Sequence, residues 1–86
     1  MERINKKYKI NSKVIGLRIK KIRLKEKLTQ AELAKHLNTS QSNISAYENG
    51  KNIILTAFAY NMAKDFNISL DYLVGRSNII KIIKKQ

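Results

Sequence analysis

The chain has 86 residues, enough for one small domain, with 18 Lys and Arg against 6 Asp and Glu, a formal net charge of +12. It has no Cys and a single His, which excludes disulfides and thiolate metal sites and leaves too few ligands for a zinc site built from protein alone. Its apolar runs fall far short of the ~20 residues that cross a bilayer.

The charge is uneven. Residues 1–28 carry +9, residues 29–75 carry −1, and residues 76–86 carry +4. A balance this basic favours polyanions, meaning nucleic acid or an acidic membrane surface, against the plainer reading of a solvated Lys-rich surface. The start, MERINKKYKINSK, is basic without the apolar core of a secretory signal, so a soluble intracellular protein is expected. Residues 1–14 read as a basic extension, 15–75 as the folded domain and 76–86 as an Ile/Lys-rich tail.

Periodicity is helical nearly throughout, with no Pro. Residues 15–26 place Ile15, Ile19 and Ile22 on one face, with Arg18, Lys21 and Lys25 off it. Leu17 and Leu24 form a second, smaller apolar strip. The next helix starts at Thr29, where TQAE is a capping box of Thr29 and Glu32, with Leu28 and Leu33 at the spacing of a hydrophobic staple. It ends near Leu37, and Asn38 suits a left-handed turn.

Ser40 caps a third helix, over 41–49, with Thr39 and Ile44 at staple spacing and Gly50 as its stop. A fourth helix is predicted near 55–66, carrying Leu55, Phe58, Ala59, Met62, Ala63 and Phe66. Ser69 caps a short fifth that stops at Gly75. Five short helices describe an all-α domain. In the tail, Ile79, Ile80 and Ile83 can line a helix; their β-branching also permits a strand, and the helix is the expectation taken here.

The helices over 30–37 and 41–49, joined by a turn of a few residues, have the length and turn chemistry of a helix-turn-helix. Leu33, Ala34, Leu37, Ile44 and Tyr47 hold the pair together, with small Ala34 at the crossing. The second helix turns Gln41, Ser42, Ser45, Ala46 and Asn49 outward. Gln matches an adenine edge, Ser donates or accepts, and Ala46 can lie on a thymine methyl. Phosphates carry no sequence information directly and can be held elsewhere, including by the backbone N–H groups at the helix starts near Gln30 and Gln41.

These residues, with IGLRIKKIR, LTQAELA, YENGK and NISLDYLVG in register, resemble the phage repressor/Cro-like helix-turn-helix (XRE-like) family over residues 15–75. The resemblance implies a five-helix lambda-repressor-like domain with helices two and three as the DNA-binding pair. It implies a transcriptional regulator that binds operator DNA as a homodimer. With no His placed to partner a Ser, no catalytic residue is expected, nor any cofactor. Gln41, Ser42, Ser45 and Ala46 match base-reading positions. Gln30, Asn49, Lys51 and Arg23 match backbone contacts. Arg23 and Glu48 match an ion pair between helix one and the end of helix three. The sequence departs from the family at Asn38, where Gly is usual, and in KNIIL, which lacks the frequent Pro. The second helix of the pair has no Arg, which speaks against bidentate readout of guanine from it.

The reading is therefore a sequence-specific binder of double-stranded DNA at a palindromic operator, a cytoplasmic repressor acting by occupancy. An antitoxin or a restriction-system controller protein with the same domain is the near alternative. A protein-interaction module and a membrane-surface binder are the distant ones. The arm RINKKYK can follow the DNA backbone, and the tail isoleucines either cover Leu17 and Leu24 or form a dimer contact, the latter preferred. His36, Asp65 and Asp71 read as surface or capping residues.

Overall fold

A computed structural model describes residues 10–82. Five helices follow one another: α1 (Ser12–Lys25), α2 (Gln30–His36), α3 (Gln41–Glu48), α4 (Thr56–Asp65) and α5 (Leu70–Leu73). The arm over residues 3–9 and the tail from Ile83 onward lie outside the described residues.

α1 begins three residues before the expected start at 15. The cause is Asn11, whose Oδ1 accepts from the backbone N–H groups of Lys13 and Val14 at 3.1 Å each and so satisfies two orphan donors of the first turn. Ile15, the first core residue, lies three positions inside the helix that this polar cap starts. Thr29, Ser40 and Ser69 cap α2, α3 and α5 as read, and the Thr29–Glu32 capping box is closed in both directions.

All five helices end the same way. A residue in the left-handed region follows each one: Lys27, Asn38, Gly50, Asn67 and Gly75. The next N–H then returns to a carbonyl in the last turn: Leu28 to Arg23, Thr39 to Ala34, Lys51 to Ala46, Ile68 to Ala63 and Arg76 to Asp71, at 2.7–3.0 Å. This is the Schellman closure, which satisfies the orphan carbonyls and reverses the chain without proline.

The core is one cluster. Ile15, Ile19 and Ile22 of α1 meet Leu33 and Ala34 of α2, Ile44 and Tyr47 of α3, and Phe58 and Met62 of α4, with Ile68, Tyr72 and Leu73 closing it from the α5 side. Tyr47 and Phe58 pack with ring centroids 4.8 Å apart, within the range of favourable aromatic pairs.

α1 and α3 approach so closely that a Cβ on Gly16 would stand 2.3 Å from the Tyr47 carbonyl oxygen and 2.7 Å from that of Glu48. Gly16 therefore sets how deeply α3 seats against α1.

The tail corrects the helical expectation. Residues 79–82 form no helical turn. Ile68 and Lys81 form an antiparallel bridge, and the Ser69 N–H donates to the Ile80 carbonyl at 2.8 Å. The backbone of Arg76 and Ser77 is held on the Asp71 carbonyl, so no helical turn continues past Gly75, and Ile80 folds onto the core.

Arg18 fastens this segment. Its Nη1 donates to the carbonyls of Tyr72 and Ser77, the latter at 2.7 Å, and its Nη2 donates to Asn78 Oδ1 at 2.9 Å. Its guanidinium carbon lies 4.2 Å from the centroid of the Tyr72 ring. Among the described residues, the tail through Ile82 leaves Leu17 and Leu24 65% and 55% exposed.

Candidate nucleic-acid interface

α2 and α3 are joined through Leu37, Asn38, Thr39 and Ser40. Asn38 takes φ 57°, a conformation that Asn tolerates better than most side chains. The Thr39 N–H closes onto the Ala34 carbonyl at 2.8 Å. Ser40 Oγ then accepts from the Asn43 N–H at 3.1 Å, and Asn43 Nδ2 donates to Thr39 Oγ1 at 2.9 Å. The turn is thus rigid on both sides. Leu33, Ala34, Ile44 and Tyr47, all buried, lock the two helices face to face.

With those faces buried, the opposite side of α3 is left to solvent. Gln41, Ser42, Ser45, Ala46 and Asn49 from α3 and its end, Gln30 from the start of α2 and Lys51 after α3 line one shallow depression of about 380 Å³. Every base-reading position of the sequence analysis is among them, together with three of the four backbone positions. No carboxylate lines it and Lys51 is its one cation. Its surface is polar and near neutral, with both donors and acceptors.

Arg23 is not in this depression. Its side chain is 10% exposed, and that of Glu48 is 3%. Nε donates to Glu48 Oε2 at 2.6 Å, Nη2 to Glu48 Oε1 at 3.1 Å, and Nη1 to the Leu28 carbonyl at 2.9 Å. The bidentate pair holds the guanidinium above its ordinary pKa, chiefly through the Glu48 hydrogen bond, with burial working against it. A phosphate contact does not fit this placement: three donors are committed inside the protein, and the group is nearly sealed from solvent. The expectation that Arg23 contacts the DNA backbone is corrected on that ground.

The pair reaches the depression indirectly. Glu48 Oε1 also accepts from Gln30 Nε2 at 3.1 Å. Three helices are joined at one carboxylate: Arg23 from α1, Glu48 from α3 and Gln30 from α2. The link from Glu48 to Gln30 was not expected from the sequence. A Gln eighteen positions from a buried acid carries no local signal.

The remaining titratable groups are structural or exposed. His36 Nε2 lies 3.3 Å from Asp65 Oδ2, and its ring stacks on Phe66 with centroids 5.2 Å apart, so α2 is tied to the end of α4. Asp71 faces Arg76 at 3.5 Å on the surface. Among the described residues, no group of His, Cys, Asp and Glu is arranged to hold a metal ion, and no helix is long and apolar enough to cross a membrane.

Comparison with known proteins follows the same residues. The Helix-turn-helix family pattern matches residues 19–73. The chain is similar to the HTH-type transcriptional regulator ImmR of Bacillus subtilis, 34% identical over 67 residues, covering 78% of this chain and 53% of that protein. It is similar to the antitoxin PezA of Streptococcus pneumoniae, 31% identical over 71 residues, covering 83% of this chain and 45% of that protein. The chain spans about half the length of these curated relatives. Among solved structures, the P22 c2 repressor in complex with a synthetic operator superposes with a TM-score of 0.68 at 30% identity, over 74% of this chain and 97% of that one.

Proposed function

The chain belongs to the Helix-turn-helix family, in its phage repressor/Cro-like branch, and on that premise we propose that it is a sequence-specific DNA-binding regulator of transcription. α3 enters the major groove. Gln41, Ser42, Ser45 and Ala46 meet base edges, and Gln30, Asn49 and Lys51 hold the adjoining phosphates. The observation that carries this reading is the shared depression: the side chains of matching chemistry, distributed over two helices and a loop, face one concave surface. Glu48, fixed by Arg23, orients Gln30 at its rim.

The regulator acts in the cytoplasm as a homodimer on a palindromic operator and represses by occupying it. The exposed Ile79 and Ile82 support self-association. With Tyr60 and Leu70 they border an apolar depression of about 520 Å³ between α4, α5 and the tail. In-vitro selection from random duplex DNA tests the whole reading. It should return a palindrome with half-sites about one helical turn, ~34 Å, apart. Recovery of no motif overturns the reading.

The similarity to PezA favours a second reading, an antitoxin that represses its own operator. That reading requires a protein partner, and co-purification from the native cell with a stoichiometric second chain would distinguish it.

A further inference from the structure

Apart from Lys13, whose side-chain stem lies beside Gly50 at the end of α3, the outer face of α1 has no part in the core or in the lining of the depression described above. Helical spacing sets Leu17 and Leu24 seven residues apart on one stripe, separated by about 10.5 Å of helix rise. Both are exposed, on the side away from the buried Ile15, Ile19 and Ile22. Exposed Lys13, Lys20, Lys21 and Lys25 surround them. Among the described residues, no carboxylate forms an ion pair with any of these lysines. A single exposed leucine is ordinary. Two at a heptad interval inside a ring of exposed cations form an amphipathic surface of defined polarity.

From this arrangement we infer that the outer face of α1 docks an acidic amphipathic helix of another protein, its apolar residues on Leu17 and Leu24 and its carboxylates on Lys13, Lys20, Lys21 and Lys25. Charge selects this occupant. A second copy of the chain would satisfy the leucines but would set four lysines against four. Residues 1–9 of the same chain carry four Lys and Arg against one Glu and meet the same repulsion. Duplex DNA would satisfy the lysines and leave both leucines without a partner. A helix with apolar residues at heptad spacing and acids on either side satisfies both, as charged residues flanking an apolar seam do in paired helices. The proposal does not depend on the DNA-binding reading, since none of these residues lines the depression of α2 and α3.

The test uses the full chain, isotope-labelled, titrated with a synthetic helical peptide that carries leucines at a heptad interval flanked by glutamates. A scrambled peptide of the same composition is the control. Amide shifts should concentrate on residues 13–25, and the amphipathic peptide should bind about tenfold more tightly than the scramble. The double variant Leu17→Ser/Leu24→Ser should lose that preference while its helical circular dichroism and its affinity for duplex DNA stay unchanged. Equal binding of the two peptides would overturn the inference, because it reports only net charge. So would shifts centred on the Ile79–Ile82 depression. A third overturning result is Lys20→Gln/Lys21→Gln flattening the salt dependence of DNA binding, which would assign the lysines to phosphates.

Discussion

Arg23 and Glu48 form a nearly sealed bidentate pair, with Nε 2.6 Å from Oε2, and the same carboxylate accepts from Gln30. Removing one partner strands the other in a poorly solvated place. Arg23→Met should therefore cost about 3–5 kcal/mol of unfolding free energy. The double variant Arg23→Met/Glu48→Leu should recover most of that loss, since apolar groups of similar size replace a buried pair at little cost. Urea titration of the three proteins checks both signs.

Gly16 sits within a helix, where Ala is normally favoured over Gly by roughly 1 kcal/mol. Here the sign should reverse. The added Cβ would meet the backbone carbonyls of Tyr47 and Glu48, which cannot rotate aside. Gly16→Ala should lower stability by about 1–3 kcal/mol through overpacking, seen as a depressed melting temperature. It should also weaken DNA binding, because α3 must move outward.

Arg18 connects α1 to α5 and the tail through the carbonyls of Tyr72 and Ser77 and the side chain of Asn78. Arg18→Gln should release the bridge between Ile68 and Lys81. The Ser69 amide, bonded to the Ile80 carbonyl, is the reporter, and its hydrogen exchange should accelerate well beyond that of amides within α3. Hydrogen bonds of this charged kind contribute roughly 1.5–3 kcal/mol each, so part of the global stability should fall too.

Lys27 holds φ 60° at an exposed site after α1. A left-handed conformation costs an ordinary side chain ~1–2 kcal/mol, partly offset for Gly by its greater freedom when unfolded. Lys27→Gly should raise stability by about 0.5–1 kcal/mol. For a domain of this size that lifts the melting temperature by a few degrees.

Features written locally in the chain could be read from it. The Thr29–Glu32 box, the Ser40 and Ser69 caps and the stops at Asn38, Gly50 and Gly75 each involve residues a few positions apart, so the helices and the turn between α2 and α3 were legible. The outward set on α3 was legible too, because helical spacing separates it from Ile44 and Tyr47. What escaped is contact between distant positions. No residue near Gly16 in the chain points to the backbone of Tyr47 that lies beside it. Arg18 looked like one more cation of α1, sixty residues from the Asn78 that it binds. The tail isoleucines fit a helix or a strand equally, and the bridge between Ile68 and Lys81 decides against the helix. Arg23 was read both as an ion-pair partner and as a phosphate contact, and burial leaves room only for the first.

The central claim is that α3 reads bases through its outward side chains while neighbouring groups hold phosphates. The most direct measurement is parallel selection from random duplexes with the native chain, Gln41→Ala and Lys51→Ala, followed by titration on the selected site. Gln41→Ala should relax preference at one base position and cost about 1–3 kcal/mol, whereas Lys51→Ala should weaken all sequences alike and flatten the salt slope by about one. Uniform weakening by Gln41→Ala, with the selected motif unchanged, would contradict the account.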